Sequence, residues 1–296
     1  MNADKPAQAK TEQSAASTFD HVDAALVILP TLAALLLRWP QMFESLWIDE
    51  LHTAWAVSGG LSELWPRCAI GNQSPVWFVL PWLSTSVLGM NEFALRLPSL
   101  LAGIALVPAV YWLVRHLCAS RVGALVAASL VAFDHHCLTF AAEARPYAWV
   151  QLVGLLQVAA FWKTWRSESW QPRCAWIALS ALLFYLHYTA ILLLGAEVVF
   201  LGITFTFSGI GTTFSHKRWA LDLLAVVILC LPAAPHLWEI AGRRENWEAF
   251  VEVPDTWRET AMFPIISYGV VPLLLVYGWV LWQKSSGAER PLSSVR

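Results

Sequence analysis

The chain is short of charge. Only 14% of its 296 residues are Asp, Glu, Lys or Arg, while 57% are hydrophobic. A soluble domain carries about 25% charged residues, so a water-soluble fold of this size is excluded. An excess of positive charge is missing too. The formal net charge is -2, which leaves no basic footprint and argues against nucleic acid as a partner. Cysteine is sparse: Cys68, Cys118, Cys137, Cys174 and Cys230 are odd in number, scattered and without metal-ligand spacing. They are expected to be buried thiols rather than a disulfide framework. No internal repeat occurs. The polar tail at 1–20 lacks the basic-plus-apolar pattern of a removable signal and is expected to be disordered and cytoplasmic.

What the chain does have is long apolar runs. A membrane crossing needs about 20 residues, and charge-poor stretches near 24–39, 95–114, 122–141, 146–162, 174–188, 189–207, 219–237 and 261–282 meet that need. Arg38-Trp39 fits an interfacial anchor for the first. Basic residues gather at Arg115/Arg121, Lys163/Arg166/Arg173, Lys217/Arg218 and Lys284/Arg290/Arg296. With eight spans and a cytoplasmic N-terminus, all four groups fall on the cytoplasmic side. This requires the shorter run 75–89, interrupted at Pro81, to be interfacial or re-entrant. The fold class expected is therefore all-α: a polytopic transmembrane bundle of about eight spans over 21–283, with a cytoplasmic tail at 284–296. Six of the 18 tryptophans fall between 39 and 82, at and within the outer loop 40–95, and Ile48, Leu51 and Trp55 recur at helical spacing. Amphipathic helices lying in the headgroup plane account for both features.

On this topology Asp49, Glu50, His52, Arg96, Glu143, Arg145, Tyr147, His187, Tyr188, His236, Arg243 and Arg244 share the outer rim. Asp49-Glu50 follows Leu46-Trp47-Ile48 and opens an amphipathic run. An acid there either complements the helix dipole or accepts a proton from an incoming hydroxyl. Arg145-Pro146-Tyr147 and Arg96-Leu97-Pro98-Ser99 each put an Arg at the outer start of a helix, with Pro in the first turn. Such an end exposes free N–H groups and suits a phosphate, whether of a lipid headgroup or of a substrate. His187-Tyr188-Thr189 interrupts an apolar stretch, which leans functional. Asp134-His135-His136 reads as a polar patch facing the bundle interior, since a metal site would need a third ligand. Glu197 reads as a snorkelling or paired residue, and Asp222 as the i+4 partner of Arg218.

The run from Leu46 through Ala54, then Ser74-Pro75-Val76-Trp77-Phe78, then Gly89 to Ser99, resembles the GT-C-type glycosyltransferases. Ala142 to Tyr147, His187-Tyr188-Thr189 and Leu231 to Pro235 continue the resemblance in order. The branch it is most similar to is that of bacterial relatives of dolichyl-phosphate-mannose protein mannosyltransferases, which includes lipid A core sugar transferases. The resemblance implies an inverting enzyme of the bacterial inner membrane, with its active site facing the periplasm. Its donor would be a polyprenyl-phosphate sugar, and its acceptor a glycan, lipid or protein hydroxyl. Asp49 would be the catalytic base and Glu50 its helper, with Arg96, Arg145, Tyr147, His187 and Tyr188 around the donor phosphate. The resemblance fixes no cofactor and leaves a divalent cation open. The alternative is a lipid-linked-sugar binding or transport protein without catalysis. Two features depart from the family pattern. Members usually run longer, so a minimal enzyme, a truncated product and an inactive member all stay open. Asn72-Gln73-Ser74-Pro75 also lacks the basic or His residue often found before that Pro.

Overall fold

The computed structural model describes residues 19–71, 73–167, 169–207 and 216–243. The candidate span at 261–282, the tail at 284–296 and Arg244 lie outside them. Every regular element among the described residues is a helix. Those that matter here are α1 (His21–Arg38), α2 (Ile48–Val57), α3 (Leu61–Ile70), α4 (Val79–Leu88), α5 (Glu92–Cys118), α6 (Arg121–Phe133), α7 (His135–Ala141), α8 (Tyr147–Arg166), α9 (Trp170–Leu186), α10 (Ile191–Phe207), α11 (His216–Cys230) and α12 (Ala234–Gly242).

Among the described residues, three stretches are long and apolar enough to cross a membrane: His21–Phe43, Glu92–Cys118 and Lys217–Gly242. A fourth exists if α6 and α7, bent by 59° at Asp134, make one span. α8 has the length, but Gln151, Gln157, Lys163 and Arg166 make it more polar. α9 and α10 are 17 residues each. Leu29 and Leu36 of α1 and Val122 and Leu130 of α6 are each about 70% exposed. Aligned leucines and valines so exposed call for lipid rather than water around them.

The bundle is tied by a few buried polar groups. Asp23 in the first turn of α1 accepts from Tyr111 Oη at 2.8 Å, Arg115 Nε at 3.1 Å and Arg121 Nε at 3.2 Å, locking α1 to α5 and α6. Arg38, expected at the headgroups, is instead fully buried. It donates to the carbonyls of Ala34, Ala132 and Cys137. The α6–α7 bend interrupts the helical ladder, and Arg38 meets carbonyls on both sides of the break. Trp39 beside it stays about half exposed.

Other expectations are corrected as well. Asp134, His135 and His136 are exposed at the bend rather than turned inward, because Asp134 caps α7 through the Cys137 N–H at 2.8 Å. Asp222 pairs with Arg173 of α9 at 2.6 and 2.9 Å, an inter-helix bridge rather than an i+4 pair with Arg218. Cys68 is buried, whereas Cys118 and Cys174 are exposed and Cys137 and Cys230 half-buried. Glu197 is buried and paired: Gln157 Nε2 donates to it at 2.7 Å and Trp176 Nε1 at 3.0 Å, joining α8, α9 and α10.

Candidate active site

The site is built around the turn between α7 and α8. Its residues Ala142 to Pro146 have no helix of their own, so neighbouring helices hold them. Glu50, fully buried in the first turn of α2, accepts the Ala144 N–H at 2.7 Å. Thr53, one turn on, donates to the Ala144 carbonyl at 3.0 Å. Ser99 of α5 donates to the Arg145 carbonyl at 2.9 Å. Trp149 reaches back to the Pro98 carbonyl at 2.9 Å.

Glu50 is held in turn by Arg96. The guanidinium meets the carboxylate side-on, Nε to Oε1 at 2.7 Å and Nη2 to Oε2 at 2.6 Å. The other three N–H groups of Arg96 go to the carbonyls of Gln41, Glu44 and Ser45. A guanidinium has five N–H donors, and all five are engaged. Arg96, expected as a phosphate ligand, thus has none left to offer. Glu50 and Arg96 form a buried, bidentate ion pair behind the site.

Asp49, the neighbour of Glu50, faces the other way. Its side chain is 44% exposed and lies 3.6 Å from Arg145 Nη2. Arg145 is buried, with its guanidinium over the Tyr147 ring at 5.7 Å. With the Gln73 amide oxygen turned toward it, Gln73 accepts from Arg145 at 2.7 and 3.2 Å. Arg145 Nε has no partner, so the cation keeps a donor in reserve.

Beyond Arg145 opens a cavity of about 210 Å³ lined by Gln73, Arg145, Pro146, His187, Tyr188 and Leu237, among others. His187 lies beside Tyr147, their rings 5.8 Å apart. Tyr188 Oη is 2.8 Å from His236 Nδ1, which anchors the α9–α10 tip to α12. Asp49, Arg145, Tyr147, His187 and Tyr188 thus gather at one place, with Glu50 and Arg96 behind.

Charge is arranged unevenly here. Burial, then the Arg145 charge, push the His52 imidazolium below its usual range; its ring nitrogens make no hydrogen bond. A Cβ on Gly71 would lie 2.4 Å from that ring, so only glycine permits the approach. Burial, then the nearby Glu50 charge, raise the Glu143 carboxyl above its ordinary value. Among the described residues no three His, Cys, Asp or Glu side chains converge as a metal site would require.

Gln73, Thr53 and Ser99 stand within quoted motifs, but the sequence assigns none of them a role at the site. Gln73 alone carried a signal, in standing before Ser74-Pro75. Thr53 and Ser99 act through single hydroxyls that no spacing distinguishes.

The family model described as dolichyl-phosphate-mannose-protein mannosyltransferase matches residues 72–238. No curated protein and no solved structure matches the chain.

Proposed function

The chain belongs to the dolichyl-phosphate-mannose-protein mannosyltransferase family, whose model spans more than half of it, and from that premise we propose an inverting transferase with Asp49 as its base. It moves a sugar from a polyprenyl-phosphate donor to an acceptor hydroxyl. Membership makes it a membrane glycosyltransferase of the GT-C kind acting with a lipid-linked sugar. The finer assignment is to the bacterial branch that resembles lipid A core sugar transferases. On this reading it sits in the cytoplasmic membrane with about eight spans over 21–283 and a site facing the periplasm. α2 and α3 then lie in the headgroup plane, which their exposed Ile48, Leu51, Leu61 and Trp65 favour.

One observation carries the catalytic reading: Asp49, open to an acceptor, stands 3.6 Å from Arg145 at the edge of a cavity that also meets His187 and Tyr188. A base and an anion-stabilising cation belong together in this reaction. The acceptor O–H gives its proton to the Asp49 carboxylate as its oxygen attacks the anomeric carbon. The bond from that carbon to the phosphate oxygen breaks with its electron pair, and the polyprenyl phosphate departs with its negative charge increased. Attack opposite the leaving group inverts the centre. Arg145, with Tyr147, His187 and Tyr188 beside it, is placed to stabilise the developing charge, as fixed cations do. Glu50 and Arg96 are positioning residues: they hold the start of α2 and the Ala144 amide, and so the distance between Asp49 and Arg145.

A transport role would call for paired ionisable groups near the middle of the membrane. Glu197 is bonded there by Gln157 and Trp176 rather than by a cation.

The test is lipopolysaccharide or glycan composition in cells carrying Asp49→Asn or Arg145→Ala at equal expression. Loss of a positioned general base costs about 10²–10⁴ in rate, and loss of a charge-stabilising donor about 10²–10³. Undiminished sugar transfer by Asp49→Asn sinks the catalytic assignment.

A further inference from the structure

A second hollow lies at the opposite end of α8. It is an open groove of about 620 Å³ between Trp112 of α5, Leu156 and Ala159 of α8, and Ala175 and Leu179 of α9. α8 begins next to Arg145 and ends at Arg166; its 20 residues, at 1.5 Å each, cover about 30 Å. That is the thickness of the hydrocarbon core, so this hollow and the Asp49 site belong to opposite faces of the membrane.

Its rim is cationic. Lys163 Nζ sits 4.9 Å from the Trp112 ring centre, reaching from α8 toward α5, and the Arg166 guanidinium sits 4.3 Å over Trp162. The rings hold both charges in place without neutralising them. Neither makes an ion pair among the described residues, whereas Arg173 close by is taken by Asp222. α9 also starts at this rim, and its N-cap residue Ser169 forms no side-chain cap. The Trp170 and Gln171 N–H groups (Pro172 has none) and the positive pole of the helix dipole remain for an anion. Cations, an uncapped helix start and tryptophans above an apolar cleft combine the features that recognise a phosphate head and an acyl chain.

We propose that this hollow binds an anionic glycerophospholipid of the leaflet opposite Asp49. Its phosphate rests on Lys163 and Arg166, and an acyl chain lies along Leu156 and Leu179. Two cations complement a singly charged phosphodiester, while a choline head would add a third cation beside them. The lipid fills the gap between α5, α8 and α9 and fastens the inner end of α8, whose outer end carries the Arg145 turn.

Native mass spectrometry of the full chain in non-ionic detergent, with dioleoylphosphatidylglycerol or dioleoylphosphatidylcholine added, reads the retained lipid. The wild type should retain phosphatidylglycerol in preference. Lys163→Ala with Arg166→Ala should weaken that retention about twenty-five-fold, each cation near an anionic headgroup contributing about a factor of five. Arg218→Ala, which removes an exposed cation elsewhere, should keep the preference. Ala175→Trp, which fills the hollow and leaves both cations, should expel the lipid and serves where the double variant fails to fold. Equal retention of the two lipids by the wild type overturns the proposal. So does a preference that survives the double variant or Ala175→Trp, or one that Arg218→Ala also abolishes.

Discussion

At the scale of single residues, the neighbours Asp49 and Glu50 divide along a line of burial. A helix turns about 100° per residue, so adjacent acids in one turn face different surroundings. Glu50 meets Arg96 inside, and Asp49 meets solvent and the edge of Arg145. The third acid, Glu143, gives a pH signature. Burial, then the Glu50 charge, raise its pKa above 4.5, so the fold favours its neutral form. The unfolded chain ionises it near 4.5, the ordinary value. The stability this group contributes is complete below that value and is lost as pH rises through the higher folded one. Glu143→Gln should therefore melt above the wild type at about pH 7 and together with it near about pH 4. Thermal unfolding in detergent at the two pH values checks this, and a difference that does not change with pH contradicts it.

At the scale of elements, the Glu50–Arg96 pair joins the start of α2, the second turn of α5 and the turn before α8. Removing one partner of a buried pair leaves the other charge uncompensated, at about 3–5 kcal/mol. Glu50→Ala strands the Arg96 guanidinium and frees the Ala144 amide. It should lower the melting temperature markedly, while Glu50→Gln, which still accepts hydrogen bonds, should cost less. Asp49→Asn should melt like the wild type, because Asp49 is half exposed. Thermal unfolding of the three variants separates the positioning acid from the catalytic one. Equal destabilisation by Glu50→Ala and Asp49→Asn would remove that distinction.

At the scale of the whole molecule, the question is which ends share a face of the membrane. α8 carries Arg145 before its first turn and Lys163 and Arg166 in its last, so its two ends differ in what they recognise. Reporter fusions test the arrangement directly. One after Gly71 should report the outer side, and one after Ser120 the cytoplasmic side. The opposite pair of signals would invert both faces.

Membrane embedding, helical class and the order of the motifs were legible in the sequence, because they depend on local composition and on spacing along the chain. Arg145 was legible as well, as a charge in front of Pro146 at a helix start. The partners of charged groups were not. Arg38 and Arg96 both looked like rim cations, yet each lies buried among carbonyls that only the packing of α1, α5 and the α6–α7 bend brings near. The inward turn of Glu50 and the choice of Asp222 for Arg173 have the same origin. Hydrogen bonds between residues dozens of positions apart depend on where helices cross, and tertiary structure alone decides that.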